Sequence, residues 1–194
     1  MRVNSGKYKG RRLLGYVHDE VRATKGIVKE SITGMLSFDI KDAKVLDLFA
    51  GTGSIGIELL SMGAKELVLN DKNTVEILKQ NTSFIEEEIE IYDNNALTLL
   101  KRIKAEGRKF DIIFLDPPYQ YEILPRVIQR ILHDDILAKD GLLVIEQAMD
   151  EEDIDIPIPL IKTKRFGGTK VAVYKNDNKK TRMKTRYSWK IIKC

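Results

Sequence analysis

The sequence predicts an α/β fold with a mostly parallel sheet and helices on both faces. In the central part of the chain, short apolar runs alternate with amphipathic stretches that begin after turn residues. Repeated β-then-α units of this kind form parallel sheets, because a parallel connection needs a crossover helix. The last two predicted strands, joined by Gly167-Gly168, are close enough in the chain to close the sheet as an antiparallel hairpin.

The predicted elements follow one another in regular order. Strands are predicted at 44–49, 66–70, 89–92, 111–115, 141–146, 160–165 and 170–175. Helices between them are predicted at about 53–62, 73–84, 96–106 and 122–133. Pro125 fits the first turn of the last of these helices, where a missing N–H costs nothing.

The N-terminal part of the chain is predicted to be a small extension of this body. Residues 2–8 and 11–17 alternate loosely around Lys9-Gly10, which predicts a basic β-hairpin. Thr24 can cap a helix that runs to about Leu36. Its apolar stripe is made by Ile27, Val28, Ile32, Met35 and Leu36.

The charge pattern divides the chain into three parts. Residues 1–30 carry 8 Lys and Arg against 3 Asp and Glu, residues 162–194 carry 12 against 1, and residues 31–161 carry 13 against 25. Basic ends on an acidic body indicate that the ends contact a polyanion, although solvated tails that aid solubility are the alternative. We therefore expect an N-terminal unit over 1–36 that contacts nucleic acid, a main domain over 37–175 and a basic tail over 176–194.

Composition excludes several classes of protein. At 194 residues and 43% hydrophobic, the chain is long enough for one buried domain with a small appendage. Cys194 is the only cysteine, and His18 and His133 are the only histidines, so neither a disulfide nor a metal site is expected. The sequence shows no signal peptide and no apolar run of membrane-spanning length, so we expect a cytoplasmic protein without a membrane partner.

The stretch "KVLDLFAGTGSIG" is a glycine-rich loop between a strand and a helix. Gly51, Gly53 and Gly56 satisfy G-x-G-x-x-G, and Asp71 near the end of the next strand is placed to accept hydrogen bonds from ribose hydroxyls. Asp47, four residues before the first glycine, would repel a pyrophosphate but attract a cationic amino-acid ligand. S-adenosylmethionine carries an ammonium and a sulfonium and has no phosphate. Two alternatives to S-adenosylmethionine remain. The loop could bind a nicotinamide dinucleotide, or it could bind no ligand and only pack the strand on the helix.

The stretch "DIIFLDPPY" ends a predicted strand in a carboxylate, two prolines and a tyrosine. The prolines must end the strand, which leaves Asp116 at the carboxyl edge of the sheet. Asp116 and the Pro117 carbonyl offer two acceptors for an exocyclic –NH₂, and Tyr119 can stack on an extruded base. The alternative is that Asp116 caps a helix and Tyr119 belongs to the core.

Together these residues resemble a known family. They resemble the bacterial methyltransferases that modify guanine N2 in small-subunit ribosomal RNA, the RsmD-like branch of the class I S-adenosylmethionine-dependent enzymes. The likeness covers roughly residues 1–175. It rests on the segments "MRVNSGKYKGRRL", "VRATKGIVKESITGML", "VLDLFAGTGSIGIELLSMGA", "DIIFLDPPY", "GLLVIE" and "KRFGGTKVAVY".

The resemblance implies a Rossmann-like class I methyltransferase fold with a seven-stranded sheet, and it implies roles for particular residues. Those implied for the methyl donor, S-adenosylmethionine, are Asp47, Phe49, Ala50, Gly51, Gly53, Asp71, Asn95 and Ala96. Those implied for catalysis are Asp116, Pro117, Pro118 and Tyr119. Those implied for RNA are Lys7, Lys9, Arg11, Arg12 and Arg22. The implied partner is 16S ribosomal RNA in an assembled or assembling small subunit.

This chain departs from the family pattern at several places, two of which concern candidate site residues. Asn95 stands where the family usually has an acidic residue that accepts from the adenine amine, and an amide oxygen can still accept that bond. The predicted N-terminal helix lacks the proline that the family has after Arg22. Three other functions remain open on the sequence: methylation of adenine N6 or cytosine N4, a non-catalytic ribosome-assembly factor, and a nicotinamide oxidoreductase.

Overall fold

The described part of the chain contains seven strands and five helices. The structure is a computed structural model, and it describes residues 1–15, 19–117, 123–150 and 154–177. The strands are β1 (Lys44–Asp47), β2 (Glu66–Asn70), β3 (Ile89–Tyr92), β4 (Phe110–Leu115), β5 (Leu137–Ala148), β6 (Leu160–Phe166) and β7 (Thr169–Lys175). The helices are α1 (Asp19–Leu36), α2 (Ser54–Ser61), α3 (Val75–Thr82), α4 (Ala96–Ala105) and α5 (Leu124–His133).

All seven strands form one sheet in the order β3-β2-β1-β4-β5-β7-β6. The first five strands run parallel, and β7 lies antiparallel between β5 and β6. The predicted α/β class, the mostly parallel sheet and the closing hairpin are thereby confirmed. The strand order reverses between β1 and β4, and open α/β sheets bind ligands beyond the carboxyl ends of the strands at such a point.

Two apolar layers cover the two faces of the sheet. Side chains of β4 alternate between them: Ile112 and Phe114 pack with helices α1, α2 and α3, whereas Ile113 and Leu115 pack with α4 and α5. Both layers consist mainly of aliphatic side chains that are almost completely buried. The sheet is therefore fixed on both faces, and its carboxyl edge forms a rigid frame for the loops beyond it.

The N-terminal extension differs from its prediction. The predicted β-hairpin is reduced to a single antiparallel bridge between Arg2 and Arg12. The reason is that backbone N–H groups of Asn4, Ser5 and Lys7 bond to helix α2 instead of to a second strand. The predicted helix start at Thr24 is wrong, because α1 already begins at Asp19.

Strand β5 also begins earlier than predicted. Leu137 pairs with Phe110, and a register shift separates this pair from the ladder that begins at Leu142. No helix in the described ranges is long and apolar enough to cross a membrane. His18 and the tail over 178–194 lie outside the described residues.

Candidate active site at the carboxyl edge of the sheet

One cavity of about 560 Å³ opens at the carboxyl edge of the sheet. Its walls come from the loop after β1, the end of β2, the end of β4, the end of β5 and the turn between β6 and β7. The predicted residues that line it are Asp47, Phe49, Ala50, Gly51, Asp71, Asp116 and Pro117. The structure therefore brings the predicted donor loop and the start of the predicted acceptor motif to one cavity.

The glycine loop owes its shape to two residues with positive φ. Gly51 has φ +54° and Gly53 has φ +76°, in the left-handed region that favours glycine. Gly51 lines the cavity, whereas a Cβ on Gly53 would lie 2.9 Å from Leu78 Cδ2, beneath the loop. Gly51 can thus give a ligand close access to the backbone, and Gly53 allows the loop to pack closely.

Asp47 is a buried carboxylate with an unused acceptor. It is 1% exposed, its Oδ2 accepts a hydrogen bond from the Gly56 N–H at 3.3 Å, and its Oδ1 has no hydrogen-bond partner among the described residues. Burial raises the pKa of Asp47 to about 8, and the nearby carboxylates of Asp116 and Asp71 add to the rise. A cationic ligand would lower this pKa again and supply the missing partner.

Asp71 connects the end of β2 to the glycine loop. Its Oδ2 accepts the Gly51 N–H at 2.9 Å, and its Oδ1 accepts the Asn73 N–H at 2.8 Å. Each carboxylate oxygen has a second lone pair. The carboxylate is thus held in place at the cavity wall and can still accept hydrogen bonds from a ligand's hydroxyl groups.

Asn95 and Ala96 lie at the start of α4. Asn95 is exposed, and its Oδ1 accepts the Leu97 N–H at 3.0 Å as the cap of the helix. Ala96 is 4% exposed and belongs to the core beneath α4. Neither is among the described residues that line the cavity, so their contact with an adenine stays a prediction.

Asp116 and Pro117 follow β4 directly and line the cavity. Strand β4 pairs with β1 in the sheet, with Phe114 beside Asp47, which is why the charge of Asp116 affects the pKa of Asp47. Pro118 and Tyr119 lie outside the described residues. The structure thus places the first half of the acceptor motif.

Sequence reasoning missed a buried ion pair beside the cavity. Lys29 Nζ lies 2.7 Å from Glu58 Oε2, and the two side chains are 3% and 1% exposed. Lys29 also donates to the Arg2 carbonyl oxygen at 2.6 Å and lines the cavity. The available signal was the position of Glu58, which interrupts the apolar run of α2.

A second missed residue is Asn81 in helix α3. Its Oδ1 accepts the Leu14 N–H at 2.6 Å, and its Nδ2 donates to the carbonyl oxygens of Leu14 at 3.0 Å and Thr52 at 2.8 Å. Thr52 belongs to the glycine loop and lines the cavity. Asn81 therefore fixes the N-terminal segment and the glycine loop to the same helix.

The predicted RNA-binding side chains are only partly available to a ligand. Lys7 pairs with Glu87 at 2.7 Å and Glu86 at 3.1 Å, and the Arg11 guanidinium lies 5.3 Å from the centre of the Phe84 ring. Lys9 and Arg12 are exposed. The side chain of Arg22 lies outside the described residues.

The end of β5 adds two polar residues to the cavity wall. Glu146, whose role the sequence leaves open, lines the cavity. Gln147 also lines it and is 7% exposed, and within the part of the chain that the structure describes its Nε2 has no hydrogen-bond partner. A buried amide donor without a partner is uncommon in folded proteins.

Comparison with known proteins identifies the family. The model of the family described as "Conserved hypothetical protein 95" matches residues 1–175. The chain belongs to this family. It is the RsmD-like family that the sequence motifs resemble, so that resemblance is confirmed.

Similar proteins extend over most of the chain. The Haemophilus influenzae "Ribosomal RNA small subunit methyltransferase D" is 30% identical over 185 residues, covering 91% of this chain and 94% of that protein. A Streptococcus pyogenes structure described as a conserved hypothetical protein is 28% identical, with a TM-score of 0.69 over 76% of this chain and 94% of its own. The Synechocystis magnesium protoporphyrin IX methyltransferase with bound SAM, 16% identical, has a TM-score of 0.61 over 86% of each chain and shows a shared fold.

The cavity of this RsmD-like chain fits S-adenosylmethionine, the predicted cofactor. The Oδ1 of Asp47, which has no hydrogen-bond partner in the described ranges, is an acceptor for a cationic group, and Gly51 leaves the loop backbone open. Within the described residues, no group of three His, Cys, Asp or Glu side chains could hold a metal ion. The polar groups of the cavity therefore suit an organic cation with a ribose.

Proposed function

We propose that the chain transfers a methyl group from S-adenosylmethionine to the exocyclic N2 amine of a guanine in small-subunit (16S) ribosomal RNA. The observation that carries the proposal is that Asp47, Asp71, Asp116 and Pro117 line the same cavity. The name of the Haemophilus influenzae relative supports ribosomal RNA of the small subunit as the substrate.

Three residues hold the methyl donor in this proposal. Asp47 faces its ammonium group, and Asp71 accepts hydrogen bonds from its ribose hydroxyls. Gly51 leaves room for the donor to approach the backbone. When bound, the donor supplies an electrophilic methyl group on a sulfonium. Phe49, Ala50, Gly53, Asn95 and Ala96 complete the set that we expect around it.

Asp116 and Pro117 prepare the acceptor. The exocyclic amine of a base is a poor nucleophile, because its lone pair is delocalised into the ring. The Asp116 carboxylate and the Pro117 carbonyl oxygen accept hydrogen bonds from both amine hydrogens, which favours a tetrahedral nitrogen and stabilises its developing positive charge. The extra proton then leaves to Asp116 or to water. We expect Pro118 to fix the backbone and Tyr119 to stack on the flipped base.

Basic residues at the two ends of the chain hold the RNA in this proposal. Lys9 and Arg12 are exposed on the N-terminal segment, and Lys7, Arg11 and Arg22 are expected to join them. The tail over 176–194 adds further positive charge. We place the reaction in the cytoplasm, on the assembled or assembling small subunit.

Identification of the methylated nucleoside tests the proposal. The purified protein is incubated with tritiated S-adenosylmethionine and, separately, with unmodified small subunits, naked 16S RNA and duplex DNA. The expected product is N2-methylguanosine from RNA in small subunits. Label in adenosine, cytidine or DNA would contradict the guanine assignment, and donor binding without label in any substrate would favour an assembly factor.

A further inference from the structure

The hairpin of β6 and β7 is strongly basic. Residues 160–175 contain five Lys and Arg and no Asp or Glu. Strand β6 forms one edge of the sheet, and all residues from 160 to 165 are exposed. The hairpin is therefore a positively charged, solvent-accessible edge of the main domain, separate in the chain from the N-terminal segment and from the tail.

The turn that closes this hairpin borders the cavity. Gly168 and Thr169 line it, and a Cβ on Gly167 or Gly168 would meet no described atom within 4 Å. The turn is thus open to a partner. The strand order β1-β4-β5-β7-β6 places it beyond β4, which carries the proposed acceptor residues, and away from the donor loop after β1.

Lys164 and Arg165 are the basic residues of β6 nearest to this turn. Across β7, Lys164 is in register with Glu146 and Arg165 with Gln147, and both partners in β5 line the cavity. Two strand spacings are about 10 Å. A stacked nucleic-acid strand rises about 3.4 Å per nucleotide, so this distance corresponds to about three nucleotides.

The other basic residues of the hairpin have contacts within the protein. Lys162 donates to the Met35 carbonyl oxygen at 2.5 Å, Lys175 lies 3.8 Å from Asp140, and Lys170 also interacts within the chain. Lys164 and Arg165, in contrast, are exposed and form no ion pair with another described residue. The positive charge nearest to the turn on β6 is therefore available to an external anion.

Resting on the proposed function, we propose that Lys164 and Arg165 bind backbone phosphates of the RNA strand that carries the target base. Their side chains leave opposite faces of β6, so each contacts a different phosphate. These phosphates lie about three nucleotides from the base that enters the cavity. Phosphate contacts fix the register of a strand and do not read its sequence. The hairpin thus positions the strand, and the cavity selects the base.

The salt dependence of RNA binding tests this surface. The Kd for unmodified small subunits and for naked 16S RNA is measured at several KCl concentrations with wild type, Lys164→Gln, Arg165→Gln and the double variant. The control is the double variant Lys41→Gln/Lys139→Gln, which removes the same charge. Both control residues are exposed and lie before β1 and near the start of β5, at the sheet edge opposite the cavity.

Each single substitution should remove one phosphate contact. The slope of log K against log [KCl] should become shallower by about 0.7–0.9 per substitution and by about 1.5 in the double variant. At 0.1 M KCl, each substitution should raise the Kd for RNA about fivefold. The Kd of S-adenosylhomocysteine should not change, because neither side chain lines the cavity. The control variant should keep the wild-type slope.

An unchanged slope in either single variant would overturn the role of that residue. An equal loss in the control variant would show an effect of overall charge and would overturn the proposal. Exposed charges on an edge strand also prevent pairing between sheets. Self-association of the double variant by light scattering, with RNA binding unchanged, would identify that role instead. The proposed function fails separately, if the wild type binds RNA but makes no N2-methylguanosine.

Discussion

Lys29 and Glu58 form an ion pair at 2.7 Å that is almost completely buried. Glu58 also accepts the backbone N–H groups of Asn4 and Ser5, and Lys29 donates to the Arg2 carbonyl oxygen. The pair thus joins α1, α2 and the N-terminal segment at one point. Because Lys29 lines the cavity, this point also fixes one wall of the candidate active site.

Breaking this pair should destabilise the protein strongly. Lys29→Met leaves Glu58 charged and buried, which should lower the free energy of unfolding by ~3–5 kcal/mol. The control is Lys79→Met, because Lys79 forms a 2.8 Å pair with Glu76 while more than half exposed. Lys79→Met should lower the free energy of unfolding by no more than ~0.5 kcal/mol. Urea titrations measure both, and equal costs would contradict the role of the buried pair.

Asp47 should make the donor-free protein less stable as the pH rises. Its pKa is raised to about 8 in the folded state, so the folded protein holds a proton that the unfolded chain has released. The contribution of Asp47 is therefore fully present below its unfolded pKa, near 4, and is lost as the pH rises through about 8. The loss is at most ~1.4 kcal/mol per pH unit.

Asp47→Asn removes this titration. Urea titrations at pH 5, 7 and 8 should show the free energy of unfolding of Asp47→Asn rising relative to that of the wild type as the pH increases. The variant should also bind S-adenosylhomocysteine more weakly, because it lacks the charge that is proposed to face the ammonium. Asp39→Asn, at an exposed position, should follow the wild type at each pH. A constant difference between Asp47→Asn and the wild type would contradict the raised pKa.

Much of the fold could be predicted because the sequence patterns that indicate its strands and helices are local. Continuous apolar runs such as Ile112–Phe114 indicate strands buried on both faces, and turn residues separate them from the helices. The positions of Gly51 and Asp116 at one cavity follow from the rule that carboxyl ends of parallel strands share an edge. Local pattern and tertiary structure agree in these elements.

The features that the sequence did not predict depend on contacts between distant parts of the chain. The hydrogen bonds from Asn4 and Ser5 to Glu58 span 54 and 53 residues, and no periodicity reveals them. They also explain the reduced hairpin, because the N–H groups expected in a ladder are used elsewhere. Lys29 was missed for a related reason, since a charged residue in a helix is ordinarily exposed.

Two helical glycines should respond in opposite ways to alanine. A Cβ on Gly56 would lie 2.6 Å from Leu69 Cδ2 and 2.9 Å from Leu67 Cδ1, whereas a Cβ on Gly34 would meet nothing within 4 Å. Gly56→Ala should lower the free energy of unfolding by ~1–3 kcal/mol, because the added methyl group overpacks the interface. Gly34→Ala should raise the free energy of unfolding by up to ~1 kcal/mol, because alanine has a higher helix propensity than glycine. Thermal or urea unfolding measures both, and two changes of the same sign would contradict the packing of α2 on β2.

The most direct test compares turnover and donor affinity in Asp116→Ala. Asp116 is proposed to hold the amine, whereas Asp47 and Asp71 are proposed to hold the donor, so the substitution should reduce turnover without reducing donor affinity. We predict that methyl transfer falls at least ~1,000-fold, as for the loss of a principal transition-state contact. The Kd of S-adenosylhomocysteine should stay within about twofold of the wild type, because a factor of two is only ~0.4 kcal/mol. Equal loss of turnover and donor affinity, or turnover that survives the change, would contradict the assignment of the acceptor site.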